Sequence, residues 1–176
     1  MSLLKIATAG AGVLREEAVQ VAPEEIGSEK RQLFLEDLRE TLLDSGGVGL
    51  AAPQVFTSLR IIAVSIQEGI LDEDASVRSV PMEIWINPIF RKLSDRRAVN
   101  WEGCLSIPGY MGPVERPLEV ELEGYNEKGE KRTVRADGFY ARVLQHEIDH
   151  LDGILYVDRM KDMRSFSRDN STVFLC

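Results

Sequence analysis

The chain has 176 residues, 44% hydrophobic and 28% charged, which suits a single folded domain over residues 1–176 rather than an unfolded chain. Its 29 acidic and 21 basic residues give a net charge of -8, which argues against DNA or RNA as the main partner because binding phosphates needs a basic face. Two cysteines cannot form a disulfide framework, no apolar run approaches the roughly 18 residues of a membrane span, and no signal peptide is evident, so we expect a cytoplasmic protein.

The first long helix is predicted from Ser28 to Ser45, where four apolar residues recur at helical spacing: Phe34, Leu35, Leu38 and Leu42. Ser28 is suited to the N-cap and Gly46 to the end of the helix. Residues 1–27 are expected to be irregular, because Pro23 and Gly27 interrupt them.

Strands are predicted in the middle of the chain. Leu59–Ser65 is rich in branched residues, and Glu83–Asn87 is a shorter strand that Pro88 should end. Between them, the acidic stretch 67–79 is expected to be an exposed loop.

A β-hairpin is the clearest prediction of the second half. In Leu118–Tyr125 apolar residues alternate with glutamates, and a second strand, Lys131–Ala136, follows the turn Asn126–Gly129. Central strands with helices near positions 28 and 138 favour an α+β fold over a repeated β-α-β pattern.

A second long helix is predicted from Asp137, a suitable N-cap, to Asp152, with Gly153 ending it. At 100° per residue most of its positions form one broad apolar arc, and a narrower opposite side carries Arg142, Gln145, Asp149 and Asp152. Two imidazoles and a carboxylate fall inside the apolar arc, where burial without partners would cost several kcal/mol: His146, Glu147 and His150.

These three residues form the pattern His-Glu-x-x-His, and the two histidines are the only ones in the chain. Histidines four residues apart on a helix can bind one metal ion, and the intervening glutamate can take a proton from water. We favour this interpretation over two core histidines satisfied by hydrogen bonds, because chance would rarely produce the spacing.

The third metal ligand is left open by this pattern. Tyr156 stands where the extended zinc-protease pattern needs histidine, and no glutamate follows Glu147. A later aspartate or an upstream residue must serve, and Cys104, flanked by glycines and a proline that bend the backbone, is the main candidate. A cysteine and two histidines leave a fourth position for water. The alternative is that Cys104 is a small buried residue, and Cys176 is expected to be a bystander at a frayed end.

Residues 46–54 form a stretch rich in glycine and alanine. It lacks the lysine and hydroxyl residue of a phosphate-binding loop, so we expect no nucleotide site. Small residues here either let the backbone approach a ligand or form a tight turn. The Gln54 amide can donate to an oxyanion near a metal.

Three segments together resemble the signature motifs of the peptide deformylases: GVGLAAPQ (47–54), EGCLS (102–106) and QHEIDH (145–150). Their order and spacing match that family over nearly the whole chain. The resemblance implies an α+β fold with antiparallel sheets packed around a central helix that carries the His-Glu-x-x-His pattern. It implies an enzyme that removes the N-formyl group from the N-terminal formylmethionine of new polypeptides and releases formate.

The resemblance also assigns the site. It implies a divalent ion, natively ferrous iron with zinc, nickel or cobalt as substitutes, bound by Cys104, His146 and His150. Glu147 would take a proton from a metal-activated water and pass it to the departing amine. The Gln54 amide and the backbone N–H of Leu105 would hold the tetrahedral oxyanion.

The peptide substrate would bind beside these residues. A peptide-binding edge, paired as in strand addition, would be lined by Val48, Gly49 and Gly103. The methionine side chain would enter an apolar pocket near His146 and Val143.

Two segments depart from the family pattern. The acidic loop 67–79 is an insertion near the first motif, and its role stays open. The mixed charges after residue 157 favour a short solvated helix over the transient ribosome contact made by some relatives, and the apolar end Val173–Leu175 is a candidate homodimer contact.

Three alternatives remain for the function. One is a zinc metallo-endopeptidase that uses the same water chemistry. A second is a non-catalytic binding domain stabilised by a closed zinc site of Cys104, Cys176, His146 and His150. The third is an enzyme with a cysteine nucleophile, which would survive chelators.

Overall fold

The computed structural model describes residues 2–68 and 78–168. Most of the acidic loop 67–79, and the whole apolar end with Cys176, lie outside the described residues. The N-terminal segment is less irregular than predicted, because Gly12–Arg15 forms a 3-10 turn and Pro23–Ile26 a short helix, α1. Helix α2 (Glu29–Ser45) agrees with the prediction.

Both ends of α2 follow the local sequence. The Ser28 side chain accepts a hydrogen bond from the backbone N–H of Arg31 at 3.3 Å, which satisfies one of the free donors of the first turn. Gly46 ends the helix in the left-handed region, at φ 69°, where glycine carries no steric penalty.

The described residues form eight strands and one further α-helix. In chain order these are β1 (Gly49–Ala51), β2 (Ile61–Ile66), β3 (Val80–Leu93), β4 (Arg97–Cys104), β5 (Ile107–Pro117), β6 (Glu119–Tyr125), β7 (Lys131–Asp137), α3 (Gly138–Leu151) and β8 (Ser167–Arg168). One sheet has the order β1-β2-β3-β6-β7 and the other β4-β5-β8, with all pairs antiparallel. The α+β prediction is confirmed.

The five-stranded sheet lies between the two long helices. Because β2 alternates, Ile61 and Ala63 pack in the cluster that contains α2, whereas Ile62 and Val64 pack in the cluster that contains α3. Burial on both faces explains why this strand reads as a continuous apolar run. Helix α3 also contacts β5 of the second sheet, so it lies where the two sheets meet.

Helix α3 is buried on its apolar side and also on the opposite side, which the sequence predicted to be narrower and polar. Arg142, Gln145 and Asp149 are at most 6% exposed, because their side chains bind groups of the β4–β5 hairpin and the segment after α3. Asp137 occupies the N-cap, but its side chain makes no capping hydrogen bond. None of the helices in residues 2–68 and 78–168 combines the length and hydropathy needed to cross a bilayer.

One prediction about the strands was wrong, and one pair of strands was not predicted. Pro88 does not end β3, since the register between β3 and β6 shifts from Ile86 to Ile89 and the proline falls inside this irregularity, after Asn87 at φ 52°. The hairpin of β4 and β5 was not predicted, because glycines, prolines and charged residues break its alternation.

The short helix predicted after residue 157 is also absent as far as residue 168. Met163–Ser165 forms a 3-10 turn, and β8 pairs with Tyr110 and Met111 of β5. Phe166 stacks on Tyr110 with ring centroids 4.9 Å apart, so packing against the hairpin outweighs local helix propensity.

Candidate metal centre and active site

Helix α3 presents its two histidines on one buried face. His146 and His150 are at most 1% exposed, and their ring centroids are 5.2 Å apart, as four-residue helical spacing requires. Glu147, the residue between them in the motif, is fully buried.

Cys104 reaches this face because of a register shift at the end of β4. Gly103 pairs with Met111, but Cys104 pairs with Ile107, so the chain turns sharply just after the cysteine. The Cys104 Sγ lies 3.4 Å from His150 Nε2. The turn thereby brings Cys104 next to His146 and His150, which lie 42 and 46 positions later in the chain.

The three side chains fit a metal ion. One donor atom from each of Cys104, His146 and His150 lies within 4.8 Å of the others. Tetrahedral zinc with the usual bond lengths separates sulfur and nitrogen ligands by about 3.6 Å, close to the observed sulfur–nitrogen distance. His146 Nε2 is buried and has no hydrogen-bond partner among the described residues, and a cation would satisfy it.

The surroundings of His146 favour a positive charge on its ring. Burial alone would lower the pKa of His146, but the Cys104 thiol and the Glu102 carboxylate raise that pKa to about 10 in the metal-free protein. The negative charge of Glu102, which helps to hold a proton on His146, would also attract a metal cation.

Glu102 fixes the orientation of His146. Burial would raise the pKa of Glu102, but hydrogen bonds from Arg116 and His146 bring it well below its ordinary value, so the carboxylate is charged. It therefore accepts the Nδ1–H of His146 at 2.8 Å, which directs Nε2 towards Cys104 and His150.

Glu102 lies within the EGCLS motif, but no role for it, or for the two arginines that bind its carboxylate, was predicted from the sequence. Arg116 donates to both of its oxygens, at 2.7 and 2.8 Å, and Arg142 donates to one at 2.6 Å. The position of Glu102, a charged residue directly before Gly103 of the motif, was the sequence signal that could have indicated a role.

The glycine-rich segment lies directly against Glu147. A Cβ on Gly49 would lie 2.0 Å from Glu147 Oε1, so only glycine permits this approach of β1 to the carboxylate. A Cβ on Gly47 would lie 3.1 Å from Leu105 Cδ1, which places the first and second motifs side by side.

Gln54 is held with its amide group towards the cysteine. Its Oε1 accepts from the backbone N–H of Ala51 at 2.8 Å. Its Nε2 donates to Ser106 Oγ at 3.2 Å and to Cys104 Sγ at 3.7 Å. Ser106, fully buried, is a further residue that sequence analysis did not single out.

The predicted substrate-binding residues occupy different environments. Gly49 lies on β1, which pairs on one side only among the described strands, and Gly103 lies next to Cys104 at the end of β4. Val48 and Val143 are fully buried in the core cluster between the sheet and α3, and their predicted contact with substrate stays a prediction. Leu105 is half-buried and packs against the apolar cluster that contains α2.

The chain is similar to several known proteins. It is 42% identical to a peptide deformylase of Desulfitobacterium hafniense over 161 residues, which cover 92% of this chain and 97% of the relative. It is 41% identical to peptide deformylase 1A, chloroplastic/mitochondrial, of Arabidopsis thaliana, over 91% of this chain. The chain spans 62% of the Arabidopsis protein and 58% of a tomato (Solanum lycopersicum) relative.

Solved structures give the same assignment. The Met-Ala-Ser-bound crystal structure of a class I type b peptide deformylase from Acinetobacter baumannii has a TM-score of 0.85 at 33% identity, covering 90% of this chain and 99% of that one. The polypeptide deformylase family model matches residues 3–166. With nearly the whole chain matched, and with relatives of more than 40% identity, this chain belongs to the polypeptide deformylase family.

Proposed function

We propose that the chain is a metal-dependent hydrolase that removes the N-formyl group from the N-terminal formylmethionine of nascent polypeptides and releases formate. The observation that carries this proposal is the group of donor atoms from Cys104, His146 and His150 within 4.8 Å, beside the buried Glu147. Family membership and the methionine-led tripeptide bound to the Acinetobacter relative support it.

Cys104, His146 and His150 would hold the divalent ion. When bound, such an ion supplies Lewis acidity: it lowers the pKa of a water molecule and withdraws charge from the formyl oxygen. A thiolate with two imidazoles suits ferrous iron, our proposed native ion, and equally zinc, nickel or cobalt as substitutes.

Glu147 is the proposed general base. Its carboxylate would take the proton of the attacking water and deliver it to the amine of methionine as the C–N bond to the formyl group breaks. The carboxylate is buried against the backbone of Gly49, so its position is fixed before substrate binds.

Two donors would stabilise the negative charge that develops on the formyl oxygen. The first is the Gln54 amide, which is already aligned by Ala51 and Ser106. The second is the backbone N–H of Leu105, next to Cys104 in the turn after β4. Donors fixed in advance cost no reorganisation during the reaction.

The free side of β1 is the proposed binding edge for the peptide. An extended peptide could pair with the backbone beside Val48 and Gly49, with Gly103 opposite, as in strand addition. Its methionine side chain would enter an apolar pocket near His146 and Val143. A transient ribosome contact, a homodimer and a cytoplasmic location stay predictions.

Formate release under anaerobic conditions tests the proposal. Protein loaded with Fe²⁺ or Co²⁺ should release formate from formyl-Met-Ala-Ser, leave acetyl-Met-Ala-Ser intact and lose activity with a chelator. Glu147→Ala should keep the metal but lose about four orders of magnitude in turnover, whereas His150→Ala should lose the metal. Internal cuts in an unfolded protein substrate without formate release would favour the endopeptidase alternative instead.

A further inference from the structure

A chain of charged hydrogen bonds runs from His146 to the protein surface. Beyond Glu102, Arg116 Nη1 donates to Asp149 Oδ2 at 2.6 Å. Asp149 in turn accepts two hydrogen bonds from Arg159, Nε to Oδ2 and Nη2 to Oδ1, each at 2.5 Å. The side chains of Glu102, Arg116 and Asp149 are at most 7% exposed, while that of Arg159 is 42% exposed.

The buried part of these hydrogen bonds forms a ring with helix α3. His146 and Asp149 lie about one helical turn apart on α3, and Glu102 on β4 and Arg116 on β5 link their side chains. Because both arginine–carboxylate contacts are charge-assisted, and that of Arg116 with Glu102 uses two parallel bonds, the ring permits little rotation of any member. Glu102 is held by Arg116 and also by Arg142, so the orientation of the His146 ring depends in part on where Arg116 is held.

Arg116 donates hydrogen bonds to both Asp149 and Glu102, and Arg159 occupies part of the Asp149 carboxylate. Among the described residues, Arg159 is the side chain that donates to Asp149 Oδ1. Without it, the buried carboxylate would turn to use Arg116 with both oxygens, drawing the guanidinium away from Glu102.

We infer that Arg159 is a positioning residue for the metal centre: by clamping Asp149 it keeps Arg116 on Glu102, and Glu102 keeps the Nε2 of His146 directed at the ion. This inference rests on the proposed metal site. The hydrogen bonds that Arg159 makes to described residues go to Asp149 and not to the proposed ligands, so its effect on them must pass through the ring.

Arg159→Met and Arg159→Lys test the inference, with Arg15→Met as the matched control. Arg15 pairs with Asp158, which precedes Arg159 in the 3-10 turn Tyr156–Arg159. Arg15 is about as exposed as Arg159, but it makes no ion pair with Glu102, Arg116 or Asp149. Arg159→Met removes both the positive charge and the bidentate contact with Asp149. Arg159→Lys keeps the charge but loses the bidentate contact.

The readouts are the rate at which a chelator removes Co²⁺, the visible spectrum of the Co²⁺ protein, and the ¹⁵N shifts of the His146 ring in metal-free protein. Arg159→Met should lose Co²⁺ about 10- to 100-fold faster, with a changed spectrum and altered His146 shifts. Arg159→Lys should fall between that variant and wild type, and Arg15→Met should match wild type.

Wild-type values for Arg159→Met, or equal losses in Arg15→Met, would overturn the inference. If Arg159→Met does not fold, Arg159→Lys carries the same comparison. A wild-type protein that binds no Co²⁺ would instead count against the proposed function, and the His146 shifts in metal-free protein would still decide whether Arg159 acts on that ring.

Discussion

One added methyl group at Gly49 should disable the proposed general base. A Cβ there would lie 2.0 Å from Glu147 Oε1 and 2.6 Å from its Cδ, whereas ordinary contact begins at 3.4 Å. The carboxylate would have to move by about 1.4 Å, and a displacement of about 1 Å in a catalytic group can cost about 100-fold in rate. We expect Gly49→Ala to lower kcat about 100-fold and stability by about 1–3 kcal/mol from overpacking.

Gly112→Ala is the control for overpacking. Its Cβ would lie 2.3 Å from Met160 Sδ, the flexible end of a side chain that can move aside. It should lose comparable or less stability and keep kcat within a few-fold. The assays are formate release from formyl-Met-Ala-Ser, metal content and urea unfolding. If Gly49→Ala retained its metal and a near wild-type kcat, the placement of Glu147 against β1 would not matter for catalysis.

Three further predictions concern the same site. Gln54→Ala should keep its metal and lose about 100- to 1,000-fold in kcat for formate release; an unchanged kcat would remove Gln54 from the oxyanion site. The raised pKa of His146 means that a metal ion must displace a proton from this ring. The Co²⁺ affinity, measured by competition titration, should therefore rise about tenfold per pH unit for each proton released. An affinity that does not change with pH would contradict this. The lowered pKa of Glu102 in the folded protein contributes stability above about pH 4.5, the ordinary pKa of a glutamate, and this stability is lost as the pH falls below that value. The free energy of urea unfolding of the metal-free protein should therefore depend less on pH in Glu102→Gln than in wild type. Equal pH dependence in the two proteins would refute that.

Local sequence patterns determined the elements that local physics controls. The caps and apolar spacing of α2, the alternation of β6 and the His-Glu-x-x-His spacing on α3 each involve residues within a few positions of one another. Such patterns depend on helix and strand periods, so they survived in the structure. The motif also favoured a metal site over other chemistry, since its spacing places both imidazoles on one face of the helix.

Only the tertiary structure decided what completes the site. The turn after β4 that brings Cys104 to His150 depends on the register of β4 and β5. The course of β3 through Pro88 likewise depends on its irregular pairing with β6. Register is set by pairing between strands, which no single segment contains.

The charged ring behind the proposed metal ligands is the clearest case. Glu102, Arg116 and Asp149 read as ordinary polar residues in sequence, yet the structure buries all three and binds them to one another. Burying a charge is favourable only when a partner from a distant segment arrives with suitable geometry. Sequence thus determined which helix carries the candidate site residues, whereas long-range packing determined which other groups hold them in place.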